Sequence, residues 1–175
     1  MTSLRLPQPR SIPGRRLALA ASIMMATVPA LASPGASDAA VTARNEGIVR
    51  DAFQRWTAGE NVFPILVAPD VVWTIPGSGP VAGTYLGLQD FVEKASRPLV
   101  SRLATPLVPR VHHIWAVGER VIIRFEASAT TTGGHPYRNQ FVWIFRMKDG
   151  QVAEAEAFLD LVAYKEVVDK NEPRP

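Results

Sequence analysis

The second half of the chain alternates between apolar and polar positions in the way that predicts antiparallel β-strands. Two apolar-rich runs, residues 137–147 and 151–160, flank Asp149-Gly150, a dipeptide that supplies the positive backbone angles of a tight hairpin turn. Two earlier runs, residues 109–117 and 121–129, are also predicted as strands, and the second alternates cleanly. We therefore expect four strands that pair in chain order.

The region before these strands has a different period. Apolar residues recur at spacings of three and four from Ile48 to Trp56, which predicts a helix that Thr42 caps and Gly59 ends. Helices followed by a meander predict an α+β domain in which the helices cover one face of a curved sheet. The remaining predicted elements are a helical turn at 62–67, strands at 71–75 and 81–84, a helix at 87–95 and a final helix at 161–169.

The N-terminal segment, residues 1–32, resembles a cleaved export signal. Arg10, Arg15 and Arg16 precede an uncharged run at 17–31, and Ala30-Leu31-Ala32 is a small-x-small cleavage pattern. The run has only 15 residues, whereas a membrane span needs about 20, so a retained anchor is the weaker alternative. We expect a periplasmic or secreted protein, and the pattern leaves both the general and the twin-arginine routes open.

Charge and composition narrow the function of the remaining chain. Removing residues 1–32 takes away four of the 19 basic residues and none of the 16 acidic ones, which leaves 15 against 16 and a net charge of −1. The mature chain also contains no run of basic residues of the kind that binds nucleic acid. We expect no nucleic-acid partner and no membrane association after cleavage. We predict a flexible lead-in at 33–41, a domain at 42–170 and a loose tail at 171–175.

Several motifs together resemble the SnoaL-like branch of the NTF2-like superfamily. They are Trp73 followed by P-G-S-G-P, G-T-Y-L-G-L-Q-D-F at 83–91, the Asn139 strand with its K-D-G turn, and F-L-D at 158–160. The resemblance implies a cone in which N-terminal helices pack in the concave face of a strongly curved antiparallel sheet and leave a deep apolar cavity. It also implies a choice among isomerases, cyclases, hydrolases and proteins that only bind ligands.

Two residues are candidates for acid/base chemistry. Asp160 matches the Asp that ends the last strand of the family and serves as acid/base in the cyclases, and desolvation in an apolar cavity would raise its pKa. Its alternative role is to cap the following helix or to pair with an arginine. His112 and His113 are adjacent on a strand and must face opposite sides, so only one can enter the cavity. We expect His113 there, on a face with Trp115, although a core histidine is the common alternative.

The candidate ligand contacts lie on the apolar face of the predicted sheet. Asn139 needs a hydrogen-bond partner there, which is either a ligand or neighbouring backbone. Trp73 and Tyr85 match family positions that line the cavity, and core packing explains Trp73 equally well. The full set of predicted ligand contacts is Trp73, Tyr85, Phe125, Asn139, Phe141 and Trp143.

These residues support two hypotheses. The first is a cofactor-independent enzyme that moves protons on a small apolar molecule with Asp160, and the second is an exported protein that binds a ligand without turnover. We expect no cofactor, because no phosphate-binding loop is present, and no metal, because the three histidines lack carboxylates at ligand spacing. Val142 and Ile144 would be apolar on the outer sheet face, which favours a homodimer formed there.

Overall fold

The fold is a single mixed β-sheet with helices on its inner face, and the computed structural model describes it over residues 34–174. The predicted export segment, residues 1–32, lies outside the described residues. The helical elements are α1 (Pro34–Thr57), α2 (Phe63–Leu66), α3 (Leu88–Phe91), a π-helical stretch (Val92–Ser96), α4 (Arg97–Val100) and α5 (Leu161–Lys170). The strands are β1 (Val67–Ile75), β2 (Gly83–Leu86), β3 (Val108–Val117), β4 (Arg120–Thr130), β5 (Pro136–Lys148) and β6 (Gln151–Leu159).

The hairpin of β5 and β6 has the predicted turn, and its register shifts by one residue between Met147 and Arg146. Asp149 and Gly150 have φ angles of 51° and 84°, which is the left-handed geometry of a two-residue turn between right-twisted strands. Lys148 pairs with Gln151 on either side of the turn, and the ladder continues to Phe141 and Leu159. The Asp-Gly signal therefore fixes which side chains of β5 face the helices.

The α+β class is confirmed, but one strand pair differs from the predicted antiparallel sheet. The strands lie in the order β2-β1-β6-β5-β4-β3, and β1 runs parallel to β6. The pairing joins Trp73 to Ala155, with a register shift between Val67 and Val72. Sequence alternation does not distinguish the two directions, because both place every second side chain on the same face.

Helix α1 begins earlier than predicted. It starts at Pro34, so the segment expected to be a flexible lead-in is the first part of the helix. Thr42 is not an N-cap: its hydroxyl donates to the Asp38 carbonyl at 2.8 Å and accepts from Gly118 N at 2.8 Å. Alanine is the best helix former, and three alanines between residues 36 and 40 explain why the helix extends in this direction.

The segment after α5, which was predicted to be loose, is held in place as far as Arg174. Arg102 Nε donates to the Asn171 carbonyl at 2.8 Å, and Thr132 Oγ1 donates to the Glu172 carbonyl at 2.7 Å. Gly133 N donates to Asn171 Oδ1 at 3.1 Å, and a Cβ on Gly133 would come within 2.7 Å of that oxygen. Glycine therefore allows the close approach of the tail to this loop.

The core lies between the sheet and the helices. The inner face of β4 is fully buried, and α1 packs against β3 and β4, whereas α3 packs against β1 and α5 against β5. In the segment from 34 to 174, none of the helices combines the length and the apolar character that a membrane crossing requires. The helices do not fill the space above β1, β5 and β6, and this gap forms the cavity described next.

Candidate functional site

A cavity of about 610 Å³ lies between the helices and the inner face of the sheet. This volume is in the range of pockets that bury small organic molecules. The sheet contributes Phe141 and Trp143 from β5 and Leu159 from β6. Exposed residues at one side, including Asn61 and Pro106, mark its opening to solvent.

Aromatic rings form the inner wall of the cavity. Trp73 stacks on Phe91 with ring centroids 4.1 Å apart and meets Trp143 edge to face at 5.2 Å. Trp56 of α1 stacks on Trp143 at 5.9 Å, and Phe63 of α2 stacks on Phe91 at the same distance. Such packed rings have few free rotamers, so the wall is a pre-formed surface for a flat apolar molecule.

The helical side of the cavity contains the π-helical stretch. Pro98 lies at the start of α4 and has no N–H to donate to Lys94, and its ring crowds that carbonyl. The loss of a backbone hydrogen bond at a proline is a recognised cause of a local irregularity in a helix. Turns of π-helix often occur at functional sites. The stretch places Ala95 and Ser96 on the cavity wall.

Tyr164 of α5 connects the last helix to the π-helical stretch. Its hydroxyl donates to the Ala95 carbonyl at 2.7 Å, and the residue lines the cavity while 7% of its surface is exposed. Burial raises the pKa of Tyr164 well above its ordinary value, so the hydroxyl stays protonated. The Tyr164 side chain is therefore a neutral polar group in an otherwise apolar wall.

Two charged side chains among the described residues line the cavity at its opening. Glu60 is paired with Arg55, whose Nε and Nη2 both lie 2.8 Å from Glu60 Oε2. Arg174 belongs to the C-terminal tail and donates from Nη2 to the Val100 carbonyl at 3.2 Å. The interior of the cavity is thus apolar, and its charges lie at the rim.

Asp160 does not face the cavity, so the predicted placement of its carboxylate was wrong. Its Oδ1 accepts from Val162 N at 2.9 Å and from Ala163 N at 3.1 Å, which is the N-cap of α5. The side chain is exposed and is not part of the cavity wall. The carboxylate therefore belongs to the start of the last helix and not to the cavity wall.

Asn139 is buried, and its amide holds backbone instead of facing the cavity. Its Nδ2 donates to the Asp160 carbonyl at 2.9 Å and to Tyr137 Oη at 2.9 Å, and its Oδ1 accepts from Asp160 N at 3.0 Å. Burial raises the pKa of Tyr137 to about 12. The hydrogen-bond partner of Asn139 is therefore the neighbouring backbone and not a ligand.

His113 lies on the outer face of the sheet, because β3 has a bulge. Val111 pairs with Phe125 and His113 with Arg124, so His112 is an extra residue that reverses the alternation. His113 is exposed and stacks on Trp115 with centroids 5.0 Å apart. His112 is partly buried, with Nε2 3.9 Å from Glu126 Oε2. The predicted position of His113 in the cavity was wrong for this reason.

The six predicted ligand contacts separate into two groups. Trp73, Phe141 and Trp143 line the cavity. Tyr85 does not, because its hydroxyl is turned back to the Val81 carbonyl at 2.6 Å. Phe125 lies behind the wall, stacked on Phe141 at 4.7 Å, and Asn139 is occupied as described.

The cavity also has lining residues from the helices and the tail that the sequence pattern does not predict. The helical spacing of apolar residues places Trp56 on the apolar face of α1. This spacing does not distinguish a residue that packs in the core from one that lines a cavity. Tyr164 and Arg174 had no signal beyond their residue types. Pro98 in a helical pattern was the one available sign of an irregular helix near the site.

The fold and this cavity agree with a family match. The family model described as SnoaL-like domain matches residues 49–155, which is more than half of the chain. The chain belongs to the SnoaL-like domain family. The matched range of the SnoaL-like domain runs from α1 into β6 and contains Trp73, Phe141 and Trp143 of the cavity wall, whereas Leu159 lies beyond it. No curated protein matches the sequence significantly.

Solved structures of other proteins have the same fold. Bal32a, from a soil-derived mobile gene cassette, is 21% identical, with a TM-score of 0.61 over 73% of this chain and 98% of that chain. An NTF2-like protein from Burkholderia thailandensis is 21% identical, with a TM-score of 0.58 over 70% and 95%. TerC, crystallised with polyporic acid, is 23% identical, with a TM-score of 0.58 over 73% and 99%. At these identities the likeness concerns the fold of the SnoaL-like domain.

Proposed function

We propose that this protein binds a small, largely apolar organic molecule in the aromatic cavity and does not convert it by acid/base chemistry at Asp160. The observation that carries the proposal is the cavity of about 610 Å³ with Trp73, Phe141 and Trp143 on its wall. Apolar pockets with a few polar groups at the edge are typical of small-molecule sites.

The location of the predicted acid/base residues supports binding over turnover. A general acid or base must reach the proton that it moves, directly or through one water. Asp160 caps α5, and His113 lies on the outer face of the sheet. Among the described lining residues, the acidic side chain is Glu60, and Arg55 already neutralises it.

The nature of the ligand follows from the shape and chemistry of the wall. Packed aromatic rings favour a flat molecule that can stack on them. The structural relative TerC was crystallised with an organic molecule, polyporic acid, and this supports a ligand of organic character here as well. Trp73, Phe141 and Trp143 are the proposed contacts, together with Trp56 and Phe63.

The proposal is tested by filling the cavity. Leu159 lines the cavity, whereas its neighbour Phe158 lies on the opposite face of β6 and is 41% exposed. N-phenyl-1-naphthylamine, a neutral fluorescent probe, should bind the wild type and the Phe158→Trp control with similar affinity. Leu159→Trp should weaken binding by about tenfold or more while circular dichroism stays unchanged. Equal binding to both variants would contradict the proposed site.

Export is part of the same proposal. It is motivated by the arginines before the uncharged run at 17–31 and by the Ala30-Leu31-Ala32 pattern. Protein recovered from the native host should begin near Ser33 when its intact mass is measured. Soluble cytoplasmic protein that retains residues 1–32 would contradict export.

We also propose a homodimer through the outer face of the sheet. Val142 and Ile144 are only partly buried there, and Val72 and Phe158 on the neighbouring strands are 39% and 41% exposed. Val142 pairs with Phe158 across β5 and β6, and exposed apolar side chains grouped on a sheet face are often covered by a second copy.

A further inference from the structure

The C-terminal tail places one arginine at the opening of the cavity. Asn171 and Glu172 are tied to Arg102, Thr132 and Gly133, as described above. Beyond them, Arg174 N donates to the Ser101 carbonyl at 2.7 Å. The backbone of the tail is thereby held as far as Arg174 itself, and the Arg174 side chain lines the cavity.

The charge of Arg174 is not neutralised by the described part of the protein. No acidic side chain within residues 34–174 lies within ion-pair distance of its guanidinium. Its Nη2 donates to the Val100 carbonyl at 3.2 Å, which uses one of five N–H groups. Within residues 34–174 no partner takes the other donors, and they are available to an oxygen anion at the rim.

The second charge at the rim does not oppose such an anion. Glu60 has the Arg55 guanidinium against its carboxylate, with two nitrogens at 2.8 Å from one oxygen. The hydrogen bond and the charge of Glu60 raise the pKa of Arg55, which is the direction expected for a formed pair. Arg55 also lies 3.9 Å from Asp51, so its charge is taken up by Glu60 and Asp51, whereas no acidic side chain within residues 34–174 pairs with Arg174.

We propose that Arg174 determines ligand specificity, and that the ligand is an amphipathic organic anion with a flat apolar body and one carboxylate or sulfonate. The body stacks on the aromatic wall and the anionic group pairs with Arg174 at the rim. The inference rests on the proposed function, since it needs a ligand in the cavity. A guanidinium is suited to this role because its planar fork of donors matches the geometry of a carboxylate or sulfonate.

The competing explanation is that Arg174 only caps the end of α4 through the Val100 carbonyl. A capping role would act on the tail and on the shape of the rim, and its loss would affect charged and neutral ligands alike. A role in specificity would affect the charged ligand alone. A pair of probes that differ only in charge distinguishes the two roles.

8-Anilinonaphthalene-1-sulfonate and N-phenyl-1-naphthylamine form such a pair. They have the same aromatic skeleton, and the sulfonate is the only difference. Arg174→Gln is compared with Arg97→Gln, which removes the same charge from the first residue of α4 at a position outside the cavity wall. Dissociation constants are measured by fluorescence for both probes, with Leu159→Trp included to show that each probe occupies the cavity.

Arg174→Gln should weaken binding of the sulfonate probe by about fivefold, which is the upper range for an exposed ion pair, and should leave the neutral probe within about twofold. Arg97→Gln should change neither. Added salt should weaken sulfonate binding to the wild type and have less effect on Arg174→Gln. Equal losses for both probes, or no loss for either, would overturn the role of Arg174 and leave the proposed function standing. Failure of both probes to bind the wild-type cavity would overturn both.

Discussion

The side-chain amide of Asn139 holds the backbone of Asp160 from both sides. Asn139 Nδ2 donates to the Asp160 carbonyl at 2.9 Å, and Asp160 N donates to Asn139 Oδ1 at 3.0 Å. The two bonds continue the β5–β6 ladder beyond its last pair, Phe141 and Leu159. They fix where β6 ends and therefore where α5 begins.

Asn139→Ala should destabilise the protein by about 2 kcal/mol or more. The substitution leaves the Asp160 N–H without its partner and removes one of the two hydrogen bonds to the Asp160 carbonyl, which still accepts from Tyr164 N at 3.1 Å. An unsatisfied buried group costs about 1 to 3 kcal/mol. Urea unfolding measures the change. Gln140→Ala is the control, because Gln140 is exposed and bonds to Arg124 on the outer face. If the two variants were equally stable, the hydrogen bonds between the Asn139 side chain and the Asp160 backbone would not contribute to stability.

Asp160→Ala should lower the free energy of unfolding by about 1 kcal/mol, because the N-cap of α5 is lost. Asp160→Asn should have a smaller effect, since Asn is an equally good N-cap. Both variants should bind N-phenyl-1-naphthylamine as the wild type does. If Asp160→Asn had normal stability but bound the probe more weakly, Asp160 would have to contact the ligand, and the prediction would be wrong.

Stability should fall at high pH because of Tyr137. Burial raises its pKa from about 10 in the unfolded chain to about 12 in the fold. The folded state therefore keeps its proton when the unfolded state has lost it, and the stabilisation present below pH 10 is lost as pH rises through 12. The full loss is roughly 3 kcal/mol for two pKa units, of which about 2 kcal/mol is reached by pH 11.5. Urea unfolding between pH 8 and 11.5 measures it.

Tyr137→Phe is the matched variant for this pH dependence. The stability of Tyr137→Phe should decrease less steeply above pH 10 than that of the wild type. Some decrease should remain, because burial also raises the pKa of Tyr164. Identical slopes for the wild type and Tyr137→Phe would mean that Tyr137 ionises normally in the fold.

Ile144→Asp should convert the proposed dimer to a monomer, because it places a charge in the middle of the outer sheet face. Light scattering at micromolar concentration measures the mass. Ile65→Asp is the control, since Ile65 is 56% exposed on α2 and is not part of the sheet. A wild type that is already monomeric at high micromolar concentration would exclude the interface.

The hairpin and the helical segments could be predicted because their signals are local. Asp149-Gly150 has the backbone angles that its residue types favour, and the alternation of β4 decides which face is buried. The side of His113 could not be predicted in the same way. A single extra residue at His112 reverses the face, and no glycine or other local signal in the strand marks it.

The cavity was only partly predictable for a different reason. Trp73, Phe141 and Trp143 lie on strands whose faces can be derived from alternation, and these are the predicted contacts that the structure places on the wall. Tyr164 and Arg174 reach the same space from the end of the chain, and only tertiary packing brings them there. Asp160 shows the remaining ambiguity, because an acid before a helix has the same sequence pattern as a cap and as a catalytic group.

The central position of β6 has a consequence for how the molecule folds. Strand β6 lies between β1 and β5, although it is the last strand to be synthesised. It pairs with β1 through residues that are far apart in sequence, such as Val72 and Glu154. Until β6 arrives, the β1–β2 pair and the β3–β5 meander have no hydrogen bonds between them and present open edges. We expect slow folding dominated by this one long-range closure, and a cavity that exists only after the final strand has been inserted.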